Sequence, residues 1–247
     1  MRLGLIADIH GNLPALDKVL AELDRDGVDQ IVCLGDVAVG PQPVETLERL
    51  QALGCPTIMG NWDACMLGEA PSVDGELSEM LVDACTWSTS QLSAAQREYM
   101  RGFQDTLELR LDAELTLLAF HGSPRSFDDE IYATTPDEEL ESMLAGNEAS
   151  VFAGGHTHFQ MFRRFGESVV VNAGSVGQSF RRRQPGVMRL SPWAEYCLVA
   201  YEGGSLAIEL RRTAVDVEVL IDTVSRSGMP HAERWAELWA PEPSAVG

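Results

Sequence analysis

The stretch LGLIADIHGN, Leu3–Asn12, answered by IVCLGD at Ile31–Asp36, decides the fold. Leu3–Ala7 and Ile31–Leu34 are short apolar runs of strand length. Between them Leu16, Val19, Leu20 and Leu23 repeat at i, i+3, i+4 and i+7, with Asn12 placed to cap that helix and Pro14 in its first turn. The chain therefore opens as strand, helix, strand. Further strand-like runs follow at Thr57–Met59, Leu115–Phe120, Val151–Ala153 and Val169–Val171. Capping boxes at Ser93–Gln96 and Thr135–Glu138, the second with Pro136 at the first helical position and Gly146 as a stop, predict helices among them. Beyond Met188 the pattern turns to paired strands around Tyr196–Tyr201 and Leu206–Leu210, joined by Gly203-Gly204, and then to a helix near Val215–Val224.

At 247 residues and 45% hydrophobic content the chain can bury one substantial core. Residues 1–228 read as the main domain and 229–247 as a C-terminal helix with a disordered tail, since Pro241–Gly247 has little to pack. Trp235, Leu238 and Trp239 recur at helical spacing. A helical stripe of this kind packs on a core, and its other reading is a face for a homo-oligomer. The net charge of −20 and the lack of a basic stripe argue against long nucleic acid. Five cysteines without a CxxC pair, several inside apolar runs, suit free buried thiols in a reducing, cytoplasmic setting. The apolar run at the N-terminus stops at Asp8, and no stretch has the length of a membrane span.

The residues after each strand-like run carry the chemistry, because binding groups gather at the carboxyl ends of strands in open sheets. The runs end in Asp8-Ile9-His10, Gly35-Asp36, Gly60-Asn61, His121-Gly122 and Gly154-Gly155-His156-Thr157-His158. Four of the five histidines fall here and only His231 lies elsewhere. Singly, each has an ordinary explanation: Asp8 as a turn residue, Asn61 as a left-handed turn, any one histidine as a surface or core residue. Together, with glycines beside nearly all of them, they form a metal-ligand set. Imidazoles with carboxylate oxygens and no thiolate cluster suit manganese, iron or zinc rather than calcium. Seven ligands, Asp8, His10, Asp36, Asn61, His121, His156 and His158, exceed what one catalytic ion takes. Two ions about 3.5–4 Å apart, bridged by Asp36, match the count and make a clamp for displacement at phosphorus.

These blocks, D-x-H, G-D, G-N-x-D, H and G-H-x-H in order, resemble the calcineurin-like metallophosphoesterase superfamily over roughly residues 1–210. The resemblance implies an α+β fold, a four-layer α/β/β/α sandwich of two mixed sheets flanked by helices, with a dinuclear site at one edge. It implies that Asp8, His10 and His158 hold one ion, that Asn61, His121 and His156 hold the other, and that Asp36 bridges them, with a bridging hydroxide as nucleophile. Two divalent ions are implied, manganese ahead of iron, zinc or nickel. Where the family commonly has a histidine after Gly-Asn to protonate the leaving oxygen, this chain has Trp62. That departure favours substrates with good leaving groups, and so phosphodiesters over alkyl monoesters. His121-Gly-Ser-Pro124 and Asn172-Ala-Gly-Ser175 resemble small prokaryotic members to which phosphodiesterase activity is assigned.

Asp63 is a candidate to orient Asn61 or a substrate-side water, or else a plain helix-starting carboxylate. Asn61 and the cationic run Arg181-Arg182-Arg183 are candidate substrate contacts, although charge runs are usually solvated. The expected partner is a small phosphorylated molecule. The alternatives are a phosphomonoesterase, including a protein serine/threonine phosphatase, a nuclease, which the acidic balance opposes, and a metal-binding scaffold, which the full ligand set opposes. Substrate preference is expected in the loops Gly68–Gly75 and Arg125–Thr135.

Overall fold

The structure, a computed structural model, describes residues 1–73, 75, 77–113, 115–144, 146–181 and 189–239. The chain opens as read: β1 Arg2–Ile6, α1 Leu13–Asp26 and β2 Gln30–Cys33. Asn12 caps α1 by accepting the Ala15 N–H at 3.2 Å, and Leu16, Val19, Leu20 and Leu23 are its buried stripe. There follow α2 Pro43–Leu53, α3 Asn61–Met66, α4 Ser78–Gln91, α5 Ala94–Met100, β3 Leu107–Arg110, β4 Thr116–Ala119 and α6 Asp137–Leu144. The chain continues through β5 Val151–Gly154, β6 Met161–Phe165, β7 Ser168–Asn172, β8 Trp193–Glu202, β9 Ser205–Ala214, α7 Val217–Ser227 and α8 Ala232–Glu237.

Two sheets form, ordered β2-β1-β8-β9 and β3-β4-β5-β7-β6, and each mixes parallel and antiparallel pairs. Strand alternation explains the layers. Leu3 and Leu5 of β1, Leu117 and Ala119 of β4, and Val151 and Ala153 of β5 meet in the core between the sheets. Ile6, Tyr196 and Leu198, on the other face of the first sheet, pack with the α1 stripe. Leu118, Phe152 and Val170, on the outer face of the second, pack with Leu140, Met143 and Leu144 of α6. The result is the α/β/β/α sandwich. Trp235, Leu238 and Trp239 are buried in the same cluster as α1. No helix among the described residues is long and apolar enough to cross a membrane.

Several local expectations change. Thr57–Met59 makes only isolated bridges, Thr57 with Cys33 and Ile58 with Gln104, because three residues are too few for a ladder. The edge strands β3 and β6 were not expected, since LELR and MFRRF interrupt their apolar residues with charge, as edges commonly do. The capping box at Ser93–Gln96 forms. At the other, the helix starts only at Asp137, and the Thr135 hydroxyl accepts the Tyr132 N–H at 2.9 Å instead of capping it. Cys65 and Cys85 are joined by a disulfide between α3 and α4, which corrects the expectation of five free thiols; Cys33, Cys55 and Cys197 are free. The tail Pro241–Gly247 lies outside the described residues.

Candidate metal centre

The site forms where β1 and β2 run past their last ladder residues side by side. Asp8 N–H donates to the Gly35 carbonyl at 2.9 Å and His10 N–H to the Asp36 carbonyl at 3.0 Å, so the two loops present Asp8, His10 and Asp36 together. On the second sheet, the Gly155 N–H donates to the His121 carbonyl at 2.9 Å, which joins the ends of β4 and β5. The Ser175 hydroxyl crosses between the sheets to donate to the Asp8 carbonyl at 2.7 Å. All seven candidate ligands are thereby brought to one place.

Backbone conformation marks the same spot. Six described non-glycine residues have left-handed φ, and five of them are Asp8 (53°), His10 (49°), Asp36 (56°), His156 (70°) and His158 (59°). Each such residue costs about 1–2 kcal/mol, and such strain clusters at functional sites because surrounding structure must enforce it. Glycine is required at position 60, where an added Cβ would collide with the Asp36 carboxylate.

Side-chain tautomers follow from the partners. A carbonyl only accepts, so His121 Nδ1–H donates to Leu34 O at 2.7 Å and His158 Nδ1–H donates to Gln178 O at 2.8 Å. In the neutral rings both Nε2 lone pairs then point into the cluster, as in ligand histidines. His158 Nε2 lies 3.1 Å from His10 Nε2 and 3.4 Å from Asp8 Oδ1. Asn61 Oδ1 lies 3.0 Å from His121 Nε2 and 3.1 Å from His156 Nδ1. One oxygen of each carboxylate is committed: Asp8 Oδ2 accepts the His156 N–H at 3.0 Å, and Asp36 Oδ1 accepts the Trp62 N–H at 2.9 Å. Asp8 Oδ1 is buried without a hydrogen-bond partner, a state tolerated when a cation supplies the missing interaction.

Asp8, His10 and His158 form one group able to hold an ion, and Asp8, Asp36 and His121 a second. Electrostatics agree with a demand for positive charge. Burial would lower His121, yet Asp36 and Asp8 beside it raise its pKa to about 10. Burial likewise opposes ionised Asp36, but His121 and then His10 hold it well below the usual carboxylate range. His10, where burial dominates, falls to about 4. A buried cluster of imidazole nitrogens, carboxylates and an amide oxygen fits divalent ions of the manganese to zinc series.

The remaining candidates separate. Asp63 is fully buried and turned to the backbone, accepting N–H groups of Asp36 at 2.8 Å, Val37 at 3.0 Å and Gly60 at 3.2 Å. It clamps the Asp36 loop to the Asn61 loop. Burial, and then the charge of Asp36, push it up to about 7. Arg181 has its N–H bonded to the Arg189 carbonyl, and its side chain is not among the groups lining the cavity over the site. Arg182 and Arg183 lie outside the described residues. His231 pairs with Asp83 at 2.8 Å, away from the cluster.

Sequence reading missed Gln178 and Phe180. Gln178 acts through its carbonyl, which no side-chain pattern reports. Phe180 stacks on His158 with centroids 4.6 Å apart and planes 17° from parallel. The loop NAGS at Asn172–Ser175 was the available signal for this whole strap.

Residues 1–192 match the family model of the calcineurin-like phosphoesterase superfamily domain. The crystal structure of a metallophosphoesterase from Sphaerobacter thermophilus is similar at 26% identity and a TM-score of 0.72, covering 96% of this chain and 99% of that one. That of the hypothetical protein PH1004 from Pyrococcus horikoshii is similar at 21% identity and a TM-score of 0.78, covering 96% and 97%. An uncharacterized protein of Methanocaldococcus jannaschii, MJ0912, is 23% identical over 244 residues, 92% of this chain and 93% of its own. With the family model spanning most of its length and the motif residues gathered at one sheet edge, the chain belongs to the calcineurin-like phosphoesterase superfamily, a family of metal-dependent phosphoester hydrolases.

Proposed function

We propose that this chain hydrolyses small phosphodiesters at two divalent ions, one held by Asp8, His10 and His158 and the other by Asn61, His121 and His156, with Asp36 between them. The observation that carries the proposal is the free oxygen of Asp36. With Oδ1 taken by the Trp62 N–H, Oδ2 faces His10 at 3.6 Å and His121 at 3.5 Å, one from each trio. The donor set suits manganese first, then iron, zinc or nickel. Such a pair, when bound, supplies Lewis-acid charge at phosphorus and lowers the pKa of water for attack near neutral pH.

The chain's own residues orient this chemistry. The Leu34 and Gln178 carbonyls aim two imidazoles, and Asp63 holds the backbone of Asp36. Trp62 follows Asn61, so no imidazole stands there to protonate a departing alkoxide. Asp128 and Glu130 line the approach, and no described Lys or Arg does. A diester with one negative charge meets less repulsion there than a monoester with nearly two.

The test is metal analysis together with hydrolysis of bis(p-nitrophenyl) phosphate and p-nitrophenyl phosphate, with manganese and after chelation. The expected result is two ions per chain, chelator-sensitive turnover and a higher kcat/KM on the diester. Asp36→Asn should lower turnover by more than about 100-fold, the upper range for disturbing groups that merely support ligands. Full activity in Asp36→Asn would refute the role given to Asp36, and faster monoester turnover would move the assignment to a phosphatase.

A further inference from the structure

We infer that the cavity leading from the ligand cluster to the C-terminal helices receives a flat, uncharged aromatic ester group of the substrate; this deepens the phosphodiester reading and rests on it. The cavity encloses about 320 Å³, within the range of small-molecule sites. One end is made by His10, Asn61, His156 and His158 themselves. Trp62, Met80, Leu81, Trp235 and Trp239 line it as well. A phosphorus atom at the cluster would therefore hold one ester group inside this chamber.

Three observations select the chemistry of that group. The walls are aromatic from the start, since Phe180 lines the cavity while stacked on His158, and aromatic walls favour flat rings in stacked or edge-on contact. Ser72 and Val73, from the loop expected to set preference, line the cavity without adding charge. The charged residues among the described lining are the ligand histidines and the exposed Asp128 and Glu130 at the rim, with no Lys or Arg. A second phosphate or a carboxylate on the substrate would lose its water there and gain no cation from the described lining, which is costly. An uncharged ring loses nothing of that kind and buries apolar surface.

The experiment keeps the leaving group constant. The manganese-loaded protein is assayed with p-nitrophenyl phenylphosphonate and p-nitrophenyl methylphosphonate, and binding of phenylphosphonate and methylphosphonate is measured by titration calorimetry. The inference expects the phenyl compound to be favoured at least ~tenfold in kcat/KM and in affinity, from the apolar area a ring buries. Leu81→Gln, a polar uncharged change at a half-buried wall position, should bring both ratios towards one. Equal handling of phenyl and methyl compounds by the unaltered protein would overturn the inference and leave the cavity to another occupant, such as a segment of a partner protein. Absence of hydrolysis with a preserved binding preference would refute the phosphodiesterase reading while upholding the aromatic chamber.

Discussion

Replacing Ser175 by alanine tests how the strap after β7 holds the site. Ser175 is fully buried; its hydroxyl donates to the Asp8 carbonyl and accepts the Gln178 N–H, both at 2.7 Å. The two losses differ in kind. The Asp8 carbonyl keeps the Gly177 N–H at 3.0 Å, so only a second bond is lost there, worth about 1 kcal/mol. The Gln178 N–H is left buried without an acceptor, which costs about 1–3 kcal/mol. The variant should thus be about 2–4 kcal/mol less stable in the metal-free state, lowering Tm by about 4–16 °C for a chain of this size. Because the Gln178 carbonyl also aims His158, metal affinity should fall about 10–100-fold, as when groups that orient ligands are lost. Urea unfolding of the metal-free protein and competition with a metal-sensing dye read the two effects separately. A stability loss under about 1 kcal/mol would refute the hydrogen-bond accounting. The expected stability loss with unchanged metal affinity would refute the link from Gln178 to His158.

Glu195 supplies a pH test. It is 4% exposed on β8 and paired with Arg212 at 2.9 Å, yet burial outweighs that pairing and raises its pKa from 4.5 to about 7. The folded state therefore keeps a proton that the unfolded chain releases, so stability present in full below pH 4.5 declines as pH rises to about 7 and is level above. At about 1.4 kcal/mol per pH unit the decline attributable to Glu195 is about 3 kcal/mol. Urea unfolding of Glu195→Gln should show a pH 5 to pH 8 difference smaller by that amount, and a profile parallel to the unaltered protein would contradict the assignment. The Cys65–Cys85 bond predicts three titratable thiols in the denatured, unreduced chain and five after reduction. Cys85→Ser should cost about 3 kcal/mol of stability under non-reducing conditions, for a loop of 20 residues. Five thiols before reduction would refute the bond.

Much of the fold is legible in the chain because its buried strands are short apolar runs and its first helix carries a complete stripe, cap and proline. Strand ends could be paired with Asp8, Asp36, Asn61, His121 and His156 because ligand types standing after successive strands have few other uses. The edge strands β3 and β6 were not legible, since Glu108, Arg110, Arg163 and Arg164 interrupt their apolar residues and erase the pattern. The cysteines were read as free because a bond between residues 20 apart depends on how α3 and α4 meet. Asp63 reads equally well as a helix-starting residue or a group near substrate, and only the approach of two loops shows it accepting three backbone N–H groups.

The sequence by itself determined which atoms are available: seven donors in order, glycines beside them, and tryptophan in place of histidine at position 62. Tertiary structure decided where those donors point. The proton positions on His121 and His158 are set by the carbonyls of Leu34 and Gln178, 87 and 20 residues away in the chain, and the Asp8 carbonyl is held by the Ser175 hydroxyl 167 residues away. Residue types are local properties, whereas lone-pair direction, burial and charge are set by neighbours that only folding brings together.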